Sequence, residues 1–225
     1  MKKHVLRGLV YGLLAIMTYG TSQLVQLPAL LFLKDNGNAP LTGLQLTMSL
    51  VIYFLVIVGV FFLALKLNLI KPKEKLNWKK LALFLFGGEV AIYAVSMIGV
   101  IISLAMGDEI LATNQAAIEE LITQLPAILM FTMIVLGAPI MEETICRGLI
   151  PRMFSTNWRW LGYIVGAILF GLAHVPNTVG TAVQYIGMGF VLSAVAYFSK
   201  RLEYSMLLHF LHNSIGFLIL LLQIK

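Results

Sequence analysis

Long apolar runs separated by short polar segments dominate the chain. Seven can be drawn, at about 8–33, 43–70, 81–105, 124–153, 159–176, 178–199 and 202–223. Runs of this length with so few charges read as membrane helices. The pattern predicts an all-α fold, a polytopic membrane helical bundle of about seven (six to eight) transmembrane helices. The first run begins like a signal sequence, behind Lys2, Lys3 and Arg7. Its apolar character continues to Leu33, too far for a cleaved segment, so it reads as a first spanning helix. The fourth run is the ambiguous one. A helix from Glu119 to Phe154 would be about 52 Å long, well beyond a ~30 Å hydrocarbon core. Either the part before Pro126 lies at the outer surface, or the helix breaks at Gly137-Ala138-Pro139, where the proline frees a carbonyl.

Composition sharpens this picture. The chain has 225 residues, 60% hydrophobic and only 12% charged, with a mean hydropathy of +0.92. A soluble domain carries about 25% charged residues, so residues 1–225 are expected to form a single integral membrane domain. The net charge of +6 comes from residues scattered in loops, which points to anionic lipid and a bilayer and away from nucleic acid. Lys66 lies near the end of run two and Lys71, Lys73, Lys75, Lys79 and Lys80 between it and run three, Arg152 and Arg159 flank the turn after run four, and Lys200 and Arg201 sit between runs six and seven. Alternate loops hold Lys34 and the acidic Asp108, Glu109, Glu119 and Glu120. The positive-inside rule then makes the N-terminus cytoplasmic, with seven crossings of the cell membrane. A single cysteine, Cys146, excludes an intrachain disulfide framework.

Three polar features sit inside the apolar runs. Glu142, Glu143 and Arg147 lie within six residues of one another, each costing roughly 2.5–3.5 kcal/mol at the centre of a membrane helix. Glu143 and Arg147 are i,i+4 and can pair, whereas Glu142 is rotated by about 100°. One carboxylate is then neutralised and the other free, or else both simply satisfy Arg147. His174 follows Phe170 on run five, behind Gly162 and Gly166, whose spacing lets helices approach closely. His209 and Asn213 share a face of run seven, with His212 beside them. Measured from the flanking arginines, Glu142, His174 and His209 fall at roughly 15, 22 and 12 Å of depth. Polar residues from three spans have nowhere favourable to point but towards one another.

A desolvated glutamate can act as general base, a histidine can share in activating water, and a second histidine with an amide can donate to an oxyanion. That set suits amide hydrolysis. Glu142, His174 and His209 also match the ligands of a catalytic zinc site with an open position, and spacing does not choose between them. Other intramembrane chemistries lack their signatures: there is no His-Glu-x-x-His, no aspartate in any run and no Gly-x-Ser-x-Gly. Cys146 beside Arg147 reads more readily as an inert buried thiol. Glu89, in run three, either lines the cavity or pairs with a histidine or Arg147.

Taken in order, Glu142-Glu143-x-x-x-Arg147, Phe170-x-x-x-His174 and His209-x-x-x-Asn213 resemble the signature of the CPBP membrane proteases. This is the CAAX-protease and bacteriocin-processing, or Abi, family. The resemblance covers about residues 124–216; the first three runs match only as hydrophobic helices. It implies an intramembrane endopeptidase acting on a peptide or protein substrate in the membrane. Glu142 and His174 would activate water, His209 and Asn213 would bind the oxyanion, and Glu143 and Arg147 would support them. The family is described both as metal-dependent and as a glutamate-type protease without a metal, and we take the latter as the expectation, with zinc as the alternative. The compact chain points to peptide maturation or bacteriocin self-immunity more than to prenylated substrates. Two rival readings remain: a non-catalytic immunity or regulatory partner whose polar cluster serves packing, and a proton-coupled carrier using Glu142 and Glu89.

Overall fold

A computed structural model describes residues 2–37 and 39–223, and among them every regular element is a helix. In chain order these are α1 (Lys2–Leu24), α2 (Leu27–Asp35), α3 (Gly43–Lys66), α4 (Trp78–Met106) and α5 (Thr113–Gln124). After them come α6 (Ala127–Met153), α7 (Arg159–Ala173), α8 (Val179–Ser199) and α9 (Leu202–Gln223). Six segments are long and apolar enough to cross a membrane: α1 with α2, α3, α4, α6, α8 and α9. The chain is a multi-pass membrane protein, the helical bundle that its apolar runs predict. The run drawn at 159–176 forms the 15-residue α7, about 22 Å long and so shorter than a ~30 Å core.

Local chemistry explains where the helices begin and end. Thr42 and Gln45 form a reciprocal cap on α3, and Thr178 and Thr181 do the same on α8. Asn77 accepts from the Lys80 amide to open α4, and Gly107, at φ +71°, closes it. Such caps satisfy amide and carbonyl groups that a helix end leaves unpaired. The connection from α3 to α4 is held from two sides. Arg152 donates to the carbonyls of Leu67 and Asn68, and Arg201 donates to those of Lys71, Glu74 and Lys75.

The fourth run resolves its ambiguity in an unforeseen way. The chain does turn at Leu125-Pro126, so that α5 stands apart from α6. No break follows at Gly137-Ala138-Pro139. Residues Phe131–Gly137 instead wind as a π-helix, and a second π segment, Thr144–Leu149, precedes Pro151. Each proline thus sits two residues beyond a widened turn. A π turn removes the clash between a proline ring and the carbonyl of the preceding turn, which an unbroken α-helix cannot do.

This helix lies at the middle of the protein. Its most apolar stretch is 61% buried, against 22% for that of α9. The short α7 packs against it without intervening side chains: a Cβ built on Gly166 would lie 2.1 Å from the carbonyl oxygen of Cys146. On the other side of the bundle, a Cβ on Gly189 of α8 would lie 2.4 Å from the carbonyl oxygen of Ala167. The helix α7 is therefore wedged between α6 and α8, backbone against backbone, as small residues allow in membranes. It ends at His174, and Val175 follows with φ +49°. A β-branched residue is rare in that left-handed conformation, and here it stops the helix directly after the histidine.

Gly166→Val should therefore cost at least about 3 kcal/mol of stability. Gly59→Ala, a site with nothing within 4 Å of the new methyl group, should be neutral or stabilising by up to about 1 kcal/mol. Thermal unfolding of the two variants in detergent, followed by circular dichroism, checks the contrast.

Candidate active site

The two adjacent glutamates of α6 point in different directions. Glu143 is fully buried and receives a hydrogen bond from Arg147 Nη1 at 2.7 Å. The same carboxylate accepts from the hydroxyl of Ser205 and lies 3.0 Å from Nδ1 of His209, both on α9. Arg147 completes its own contacts on α8, donating to Ser193 Oγ at 3.2 Å and to the carbonyl of Gly189 at 2.8 Å. Its guanidinium also lies 4.4 Å from the ring centre of Phe170 on α7. Two opposite charges in such a setting are tolerable only when their remaining donors and acceptors are filled, and here they are.

Glu142 instead faces a cavity of about 830 Å³ that His174, His209 and Asn213 also line. Its Oε2 has no hydrogen-bond partner and lies 3.9 Å from Nε2 of His209, while 31% of the side chain remains open. Three helices, α6, α7 and α9, thus bring the carboxylate, two imidazoles and an amide to one space. His174 and Glu142 line it together, although no atoms of the two approach within the 4.0 Å of an ion pair among the described residues.

Hydrogen bonding fixes how each ring is presented. Nδ1 of His174 is 2.7 Å from the carbonyl of Phe170, an oxygen that can only accept, so Nδ1 carries the proton and Nε2 is left as a base. The ring is clamped between Phe170 and Tyr185, with centroids 4.6 Å from each. His209 is held by Glu143 in the same fashion, through Nδ1, which directs Nε2 towards Glu142. Asn213 donates one amide hydrogen to the carbonyl of Ile134 at 2.9 Å, and its NH₂ group has a second to offer.

Glu89 proves to pair with His212, Oε1 to Nδ1 at 2.9 Å, and not with Arg147. His212 lines the cavity too, and Tyr93, one turn beyond Glu89, stacks edge-on against it. Tyr185, Ser193 and Ser205 carry no motif that singles them out in the sequence. The one signal available for the serines was that small polar residues in an apolar run need a partner. A zinc site needs three converging donors, and among the described residues no group of three His, Cys, Asp or Glu side chains is placed to hold a metal ion. The trio Glu142, His174 and His209 does not fit one in this arrangement. Cys146 is buried in the packing of α6 against α7.

Fold and cavity together define a class: multi-pass membrane proteins with a cluster of polar groups lining a cavity among their helices. Residues 124–215 match the family described as Type II CAAX prenyl endopeptidase Rce1-like. That match overlaps the segment over which the three motifs carry the resemblance. The chain is also 25% identical over 181 residues to the UPF0177 protein YvdC of Lactococcus lactis subsp. lactis (strain IL1403), covering 80% of this chain and 68% of the relative. A second protein of that strain, UPF0177 protein YbdI, is 30% identical over 96 residues, 43% of this chain and 51% of its own length. No solved structure matches the chain.

The two glutamates should separate in a stability measurement. Glu143→Ala strands Arg147 and should cost about 3–5 kcal/mol. Glu142→Ala, which removes a carboxylate oxygen with no partner, should leave the unfolding temperature in detergent close to that of the unmodified protein.

Proposed function

We propose that the protein is an intramembrane endopeptidase of the cell membrane, with its N-terminus cytoplasmic, hydrolysing a peptide bond of a membrane-associated peptide or protein. The observation that carries this reading is the unpartnered Oε2 of Glu142, set in a shared cavity 3.9 Å from the Nε2 of His209. A buried carboxylate without a partner is costly to keep, and a substrate water would supply what it lacks.

In the proposed reaction, water lies between Glu142 and Nε2 of His174 and loses a proton to the carboxylate as its oxygen attacks the scissile carbonyl. The tetrahedral oxyanion accepts hydrogen bonds from the free amide hydrogen of Asn213 and from Nε2 of His209 in its doubly protonated form. Glu143 lies on the far side of that ring and Arg147 balances Glu143, so the imidazolium charge is left to offset the oxyanion. Glu142 then returns the proton to the leaving amine as the C–N bond breaks. Donors fixed in advance by neighbouring bonds cost little to reorganise when charge develops. We read the enzyme as glutamate-type, and peptide maturation or bacteriocin self-immunity as its setting.

Glu142→Gln and His174→Ala should insert and fold normally yet lose processing, the former by about 10³-fold, the scale of a general base. Comparing the membrane-derived peptides of cells that carry each variant measures this. Unchanged processing in both would leave the non-catalytic partner reading in its place. Metal analysis of the purified protein, with the cleavage assay run in chelator, should find no bound zinc and no loss of rate.

A further inference from the structure

The cavity extends well beyond the motif residues, and its outer wall has a distinct chemistry. On α1 and the turn after it, Gly12, Ala15, Ile16, Tyr19, Ser22, Gln23 and Gln26 all line it. These positions recur at three and four residues, so they form one helix face. The face is small and apolar at first, then changes to hydroxyl and amide groups over Tyr19–Gln26. From α5, Asn114 and Gln115 line the cavity as well. None of these lies in the segment shared with the CAAX-protease-like family.

The three glutamine amides are anchored in the same way. Gln23 Nε2 donates to Ser22 Oγ, Gln26 Nε2 to the carbonyl of Ser22, and Gln115 Nε2 to Glu119 Oε1. Each nitrogen thus has a local acceptor for one of its two hydrogens, and among the described residues none of the three Oε1 atoms has a donor. The wall therefore offers hydrogen-bond acceptors to whatever enters. Among the described residues Glu142 is the only Asp, Glu, Lys or Arg that lines the cavity, so the Tyr19–Gln26 face and the α5 residues bring no formal charge to an entering chain.

A helix brings no free N–H groups to such a wall, because its own carbonyls take them. An extended strand exposes an N–H at every residue and must have each one accepted once it leaves water. We infer that the α1–α5 wall is a main-chain binding site for an extended, uncharged polypeptide segment, whose amide hydrogens are taken by Gln23, Gln26 and Gln115. The inference rests on the protease reading, since it describes how that enzyme would hold its substrate unwound beside Glu142.

Binding is measured apart from cleavage. The E142Q protein in lipid nanodiscs is incubated with a pool of end-capped decapeptides randomised over Ala, Val, Leu, Ser and Thr, and retained peptides are counted by mass spectrometry. The same pool N-methylated at alternate residues, which removes N–H donors, should be retained at least about tenfold less, the scale of one or two lost hydrogen bonds. A pool containing Lys and Glu should be excluded. Adding Gln23→Leu, Gln26→Leu and Gln115→Leu should lower retention of the unmethylated pool to that of the methylated one. Equal retention of both pools by the E142Q protein, no retention of either, or full retention by the leucine variant would overturn the inference. Cleavage of the retained peptides when Glu142 is intact tests the protease reading separately.

Discussion

The ion pair of Glu143 and Arg147 fixes the relative positions of four helices. It begins on α6, reaches α9 through Ser205 and His209, α8 through Ser193 and the carbonyl of Gly189, and α7 through the face of Phe170. Burying two charges is expensive unless every donor and acceptor is met, so the geometry that meets them is the geometry in which these helices can pack. Sliding α8 or α9 by one residue would leave a charge without its partners. Elsewhere glycine against backbone brings helices together, Gly166 on Cys146 and Gly189 on Ala167.

This constraint explains how the neighbouring glutamate can remain free. Position 142 is turned away from the arginine by one residue of helical rotation, and its environment is a cavity where its twin's is a filled network. His209 connects the two, taking Glu143 at one nitrogen and facing Glu142 with the other. The ring's orientation is thereby set by a group that takes no part in the open space. His174 reaches a comparable state by other means, with a backbone carbonyl and two aromatic faces. The short reach of α7 contributes as well, because the helix ends where the histidine is needed and the strained Val175 forbids a further turn.

Much of this was legible in the sequence, and the rest was hidden for identifiable reasons. The runs at 178–199 and 202–223 differ from α8 and α9 by at most one residue, since apolar length and flanking charges decide them directly. Glu142, His174, His209 and Asn213 stood out because polar groups in hydrocarbon are conspicuous, and all four border one cavity. The π turns were not legible: a proline announces that a helix must be disturbed but not whether it bends, breaks or widens. The partner of Glu89 was undecidable between two candidates from depth alone. The polar face of Tyr19 to Gln26 was present at helical spacing, but averaging hydropathy over a 26-residue run concealed it, and so α1 read simply as a spanning helix. Ser193 and Ser205 matter only through a charge contributed by another helix, which no local pattern reveals.

The widened turns of α6 also bear on how such chains diverge. A π turn holds one residue more than the α turn it replaces, so it is where a helix can gain or lose a single residue without rotating what lies beyond. The segments 131–137 and 144–149 bracket the glutamates on both sides. A chain built this way can gain or lose one residue at either place and still present the same carboxylate to the same space.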